Sequence, residues 1–273
     1  MLLGLALALT LSACASIDPQ ERRVNADRLA NAQQWKSLHL PAGRFVLAAY
    51  LPPLQKKEET LTVYIEGDGF AWLTRSHPSN DPTPRNPVAL QLALRHAKGA
   101  VAYLARPCQY VKEQETKGCE VAYWTQRRFA PEVIEATSLA IDALKQSIGA
   151  SKLVLVGYSG GGAVAALVAA GRQDVVQIAT VAGNLDHLAW TALHGMLPLE
   201  GSINPADAWE SLQNIPQLHF VGESDHNVSI EVTNAYLARF PPQHRPKVFL
   251  IKGFDHVCCW VDQWPELSLL ISR

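Results

Sequence analysis

Charge of either sign is not in surplus: 24 Lys and Arg stand against 25 Asp and Glu, a formal net charge of -1. A nucleic-acid groove or a polybasic membrane surface needs a clear positive excess, so neither organises this chain. Internal repeats and low-complexity tracts are also missing, which removes repeat arrays and linker-rich chains. No apolar stretch approaches the roughly 18 residues that span a bilayer as a helix; the run from Met1 to Leu11 is too short. That run has no basic flank either, since no Lys or Arg precedes Arg22. Cysteine is scarce, with five residues at Cys14, Cys108, Cys119, Cys258 and Cys259. What remains is ordinary globular material. Hydrophobic residues are 48% and charged residues 18% of 273 positions, enough for a sizeable core and unlike a disordered chain.

The stretch Lys152 to Gly162 stands out against this background. Leu153, Val154, Leu155 and Val156 form an apolar run of the kind buried on both faces of a parallel sheet. Gly157-Tyr158-Ser159-Gly160-Gly161 then matches G-x-S-x-G, and an alanine-rich helix follows from Ala163 to Ala170. Strand, tight turn and helix are the context in which such a serine is a nucleophile. Glycine-rich turns also bind phosphates, but a P-loop needs Lys and then Ser or Thr after its last glycine. Here Ala163 and Val164 follow Gly162, and a G-x-G-x-x-G dinucleotide fingerprint does not fit.

Strand patterns alternate with helical ones along the rest of the chain, which predicts a parallel sheet covered on both faces. Residues 15 to 40 are polar, with a helical run around Ala26 to Trp35, and read as a tether; the domain is expected over 44–273. Phe45 to Leu51 and Leu61 to Ile65 are strands, with a hairpin turn expected between them at Lys56 to Glu59. A long loop, 70–87, leads to a helix at Val88 to His96 and a strand at Ala100 to Leu104. Val133, Ala136, Leu139, Ala140 and Leu144 make a helical stripe, and 185–211 reads as irregular. A helix from Ser229 to Arg239 lies between strands Gln217 to Val221 and Lys247 to Ile251, and a last helix is expected from Trp264 to Ser272.

Each late strand ends in a residue with chemistry, as a site at the carboxyl edge of an open α/β sheet requires. A serine hydroxyl is a poor nucleophile, so it needs an imidazole to take its proton and an acid to fix the imidazole. Ser159, Asp225 and His256 supply these in chain order, with Asp186 a rival acid. This order, the G-x-S-x-G turn and Gly222-Glu223-Ser224-Asp225 together resemble the α/β-hydrolase superfamily over about residues 44 to 272. The resemblance implies an α/β-hydrolase fold with inserted lid loops, Ser159 as nucleophile, Asp225 as acid and His256 as base. It further implies an oxyanion hole built from the N–H groups of Gly160 and Asp68, the latter in Glu66-Gly67-Asp68-Gly69 where the family has His-Gly-x-Gly. A carboxylate beside an oxyanion is unfavourable, so Asp68 must turn away or be neutralised by Arg75 or Arg106. Arg106 is also placed to clamp a substrate carboxylate or to form a structural ion pair.

Other residues have blander readings. His226 is expected to face solvent or cap a helix, and His187, His194 and His219 to be satisfied surface or core histidines. Trp72, Trp124 and Trp190 either line an acyl pocket or pack the inserted loops against the sheet.

Leu11-Ser12-Ala13-Cys14 resembles a bacterial lipobox. The resemblance implies a signal peptide at 1–13, a lipidated Cys14 beginning a tether at 14–43, and, with Ala15 next, an envelope address at the outer membrane. The other four cysteines of an exported chain invite disulfides. Cys108 and Cys119 bracket a short loop, while Cys258 and Cys259 either join each other or pair outwards. The activity expected is hydrolysis of an ester through an acyl-enzyme, with no metal or cofactor. A peptidase or amidase of the same fold and an inactive, ligand-binding relative are the alternatives.

Overall fold

A computed structural model describes residues 18–53 and 57–271. The expected signal peptide and Cys14 lie outside these residues. Among the described residues, eight strands form one sheet in the order β1-β2-β4-β3-β5-β6-β7-β8. The strands are β1 (Lys36–Ala42), β2 (Phe45–Leu51), β3 (Thr60–Ile65), β4 (Ala100–Leu104), β5 (Lys152–Tyr158), β6 (Val175–Val181), β7 (Gln217–Gly222) and β8 (Lys247–Ile251). β2 runs antiparallel to both β1 and β4, and all pairings from β4 to β8 are parallel. The helices are α1 (Pro19–Asn31), α2 (Val88–Leu94), α3 (Pro131–Ile148), α4 (Gly160–Ala170), α5 (His187–Leu193), α6 (Trp209–Leu212), α7 (Ile230–Leu237) and α8 (Trp260–Leu267).

Side-chain alternation divides the core into two layers. Leu61, Val63 and Ile65 of β3, with Leu153 and Leu155 of β5, pack under α3 and α4. Tyr64, Val154 and Val156 point the other way, to α2 and to Trp260 and Trp264 of α8. Both faces of β5 are therefore dry, which is why its sequence is an unbroken apolar run rather than an alternating one. α3 starts at Pro131, whose fixed φ suits a first helical turn, and stops at Gly149 in a left-handed conformation with φ 78°. Its buried stripe is Val133, Ala136, Ala140, Ile141 and Leu144. Leu139, expected in that stripe, is 43% exposed.

Four expectations change. The hairpin between β2 and β3 does not form, because β4 lies between them and takes both as neighbours. The stretch read as a tether contains α1, with Arg22, Ala26 and Ala30 buried, and edge strand β1. β1 carries His39 and Pro41 and one side of it is open to solvent, so its composition is polar although it belongs to the sheet. The stretch 185–211 holds α5 and α6, and the last helix starts earlier than expected, at Trp260. Cys108 is joined to Cys119 with their Cα atoms 5.7 Å apart, and Cys258 to Cys259.

The chain reverses direction across the sheet after β4, so β3 and β5 lie side by side at the switch point. A crevice opens outside the carboxyl ends of strands at such a point. The residues that end β3 and β5 are Glu66 to Asp68 and Ser159.

Candidate active site

Ser159 occupies the turn between β5 and α4 with φ 52° and ψ -122°, a conformation costly for a residue with a Cβ. Its neighbours hold it there. Ser159 N–H donates to Val181 O at 2.9 Å, and Ser159 O accepts from Gly162 N–H at 2.9 Å and Asn184 N–H at 3.0 Å. The turn closes only because glycines flank it. A Cβ on Gly157 would lie 2.2 Å from Gly161 O, and one on Gly161 would lie 2.3 Å from Ile65 O.

His256 follows β8 on a loop shaped by Asp255, whose Oδ1 accepts from Val257 N–H at 2.8 Å and Cys258 N–H at 2.6 Å. Tyr158 O–H donates to His256 O at 3.0 Å, tying this loop to the residue before the serine. His256 Nε2 lies 3.0 Å from Ser159 Oγ, and Nδ1 lies 2.9 Å from Asp225 Oδ2. Asp225 Oδ1 accepts from Asn227 N–H at 2.8 Å and Val228 N–H at 2.9 Å, which fixes the carboxylate. The Asp225 side chain is fully buried and that of His256 is 19% exposed. With Nδ1–H donated to Asp225, Nε2 carries the lone pair that faces the serine hydroxyl.

Asp186 is engaged elsewhere. Its Oδ1 caps α5, accepting from Leu188 and Ala189 N–H at 3.1 Å each, and takes Asn204 Nδ2–H at 3.0 Å. The other histidines fall apart from the line as well. His226 is exposed, and His194 Nε2 meets Asn227 O at 2.7 Å. His219 is buried beside Thr180 Oγ1, and burial pushes its pKa down to about 3. His187 is buried and stacked on Phe129. Trp124 is buried with Nε1–H on Ser79 O, so it packs a loop, whereas Trp72 is 40% exposed.

Asp68 reaches over the start of α4: a Cβ on Gly160 would lie 2.1 Å from Asp68 Oδ1. It is neutralised by Arg106 Nη1 at 3.2 Å and Arg128 Nη1 at 2.7 Å. Burial works against its charge, but the two guanidinium groups outweigh it and hold the carboxyl below its ordinary range. Arg106 is one of the two neutralising residues expected from the sequence. Arg75 is exposed and takes no part; Arg128 replaces it. The loop beneath is held by Gln109, which donates Nε2–H to Gly67 O at 2.9 Å and accepts Arg106 N–H at 3.1 Å. Gly69 turns the loop at φ 69°, where a Cβ would lie 2.1 Å from Pro82 O.

Under the same loop sits Glu66, with Oε1 accepting from Gly67 N–H at 3.0 Å and Ala89 N–H at 3.3 Å, and Oε2 from Tyr103 O–H at 3.1 Å. Burial raises its pKa from 4.5 to about 7 despite these donors. The proton is thus held more tightly in the folded chain. The stabilisation of the protonated form is complete below about pH 4.5 and is lost as pH rises through about 7, roughly 3 kcal/mol in all. Glu66→Gln should remove this dependence: melting temperatures of native and variant chains at pH 5 and pH 8 should show a smaller drop in the variant.

No protein-family model and no curated protein matches the chain. Solved structures do. An alpha-beta serine hydrolase homologue from Coxiella burnetii aligns with TM-score 0.57 at 16% identity, over 86% of this chain and 94% of its own. Est1E from Butyrivibrio proteoclasticus aligns with TM-score 0.59 at 15% identity, over 85% and 95%. The Pyrococcus furiosus esterase Pf2001 aligns with TM-score 0.59 at 14% identity, over 88% of each chain.

The chain has the α/β-hydrolase fold.

Within that fold the residues singled out from the sequence, Ser159, Asp225, His256, Gly160 and Asp68, converge on one crevice. Arg128, Gln109, Glu66 and Tyr158 join them there, although the sequence does not single them out as site residues. Arg128 and Gln109 lie far from Asp68 in sequence, and no local motif marks them. Glu66 carries a signal, being an acid directly after a strand whose alternate residues Leu61, Val63 and Ile65 are apolar.

Proposed function

We propose that the chain is a serine hydrolase that cleaves a carboxylic ester through an acyl-enzyme. The carrying observation is the hydrogen-bonded line Ser159 Oγ, His256 Nε2, His256 Nδ1, Asp225 Oδ2, set on a serine in a strained turn. In this reading His256 Nε2 takes the hydroxyl proton as Oγ attacks the ester carbonyl. The carbonyl oxygen takes the negative charge, facing the N–H groups of Gly160 and Asp68. Collapse breaks the bond to the alcohol, which leaves with the proton from His256. Water then gives a proton to His256 and attacks the acyl carbon; the carboxylic acid departs and Ser159 regains its proton. The buried Asp225 carboxylate stabilises the imidazolium in both halves. Solved esterases of the same fold support an ester as the substrate class.

Labelling with a fluorophosphonate probe tests the reading. The native chain should label, and Ser159→Ala should not; a folded native chain that stays unlabelled overturns it. Nitrophenyl esters run beside aminopeptidase substrates then separate esterase from peptidase or amidase.

The same proposal places the enzyme in a bacterial envelope at the outer membrane, anchored through lipid on Cys14, on the strength of Leu11-Ser12-Ala13-Cys14. Cys14→Ala should release the protein from the membrane fraction. A native protein recovered wholly in the soluble fraction would sink the anchor.

A further inference from the structure

Two arginines share one aspartate, Asp68, which borders Gly160, the residue after Ser159. The side chains of Arg106 and Arg128 are 5% and 6% exposed, and the only carboxylate paired with either among the described residues is Asp68. Asp186 is taken up by the cap of α5 and Asn204 and pairs with neither arginine. Glu66 spends its oxygens on Gly67 N–H, Ala89 N–H and Tyr103 O–H and forms no ion pair with either arginine. Two guanidinium groups therefore share one paired carboxylate in a nearly dry place, an excess of positive charge that an anion would offset.

The unused donors show where that anion would sit. Arg106 spends Nη1 on Asp68 and Nη2 on Arg128 O, and its Nε is sealed without an acceptor. Arg128 spends Nε on Thr125 O at 2.6 Å and Nη1 on Asp68 at 2.7 Å. Its Nη2 has no acceptor among the described residues, yet is not among the atoms sealed from solvent. The Arg128 guanidinium also faces the Trp190 ring at 5.8 Å. Trp190 Nε1–H donates to Asn227 O, and Asn227 N–H donates to Asp225, so the indole is tied to the loop of the acid. Arg128 thus lies between a group in contact with Gly160 on one side and a group fixed to the Asp225 loop on the other. Both flank Ser159.

We infer that Arg128 forms an anion subsite, so that the acyl part of the substrate carries a carboxylate in addition to the carbonyl that Ser159 attacks. The subsite rests on the esterase reading for its purpose but not for its existence. Asp68 holds Arg128 in place, and the Trp190 face limits where the carboxylate approaches. A guanidinium edge with one free donor suits a single carboxylate oxygen, and partial exclusion of water strengthens the bond.

Calorimetry with Ser159→Ala tests binding apart from chemistry. Monomethyl glutarate, an anion, should bind at least about tenfold more tightly than dimethyl glutarate, its neutral counterpart. Arg128→Met should erase that ratio and Arg128→Lys should retain part of it. In the native enzyme, kcat/KM for nitrophenyl hemiglutarate should exceed that for nitrophenyl valerate. Equal or reversed ratios in a chain that still labels with fluorophosphonate overturn the subsite and leave the hydrolase intact. Tight binding of monomethyl glutarate by a chain that never labels supports the subsite and removes the hydrolase. If Arg128→Met does not fold, the native ester ratio and the Lys variant decide the matter.

Discussion

Ser159→Ala and His256→Ala are each expected to lower kcat for a nitrophenyl ester by on the order of 10^4 to 10^6-fold, with KM little changed. Combining them should cost little more than either alone, because the two act as one unit across the 3.0 Å contact. Asp225→Asn should fall by about 10^4-fold, since it leaves the histidine with the wrong tautomer. Asp186→Asn is the informative contrast. Its amide oxygen can still cap α5, since Asn serves as an N-cap as well as Asp, and kcat should stay within a few-fold of native. Steady-state kinetics on these five variants check this, and a large loss in Asp186→Asn with none in Asp225→Asn would reverse the assignment of the acid.

The second large effect is on stability. Asp68→Ala leaves Arg106 and Arg128 buried with no carboxylate, and breaking a buried ion pair from one side costs about 3–5 kcal/mol. For a chain of this size that is a fall of about 10 °C in melting temperature. Replacing Arg106 and Arg128 by methionine in the same chain should recover much of the loss, because a buried charge then no longer lacks its partner. The sign of the pH dependence is separate from that of Glu66. The pKa of Asp68 is held down in the folded chain, so its contribution is present above the ordinary carboxylate range and fades only as pH falls through the lowered value. The gap between native and Asp68→Ala should accordingly be the same at pH 5 and pH 8, as thermal melts would show.

Local sequence carried much of this. β5 and its elbow were legible because a strand buried on both faces and a turn that excludes any Cβ leave little choice of residue. Asp225 and His256 were legible because each ends a strand at the same sheet edge. The partner of Asp68 was only half legible. Arg106 follows β4 directly, but Arg128 reaches Asp68 from a loop 60 residues away. Strand pairing was the weakest point. Phe45 to Leu51 and Leu61 to Ile65 look like a hairpin because they are close in sequence, and nothing within them reveals that β4 comes between. β1 was missed for a different reason, since an edge strand with one wet side need not be apolar.

That edge strand sets where the chain can be shortened. The polar composition before residue 44 invites trimming there when a compact fragment is wanted for expression. β1 pairs with β2 from Lys36 opposite Leu51 to Ala42 opposite Phe45, so such a fragment would bare the whole outer edge of β2. Phe45, Leu47, Ala48, Ala49 and Tyr50 are buried, and their strand would then offer open N–H and C=O groups beside apolar side chains, a template for fibrous self-association. The same cut would remove α1 and uncover the surface beneath Ala26 and Ala30. The smallest sound fragment begins ahead of Asp18, whose carboxylate caps α1 through Gln20 N–H.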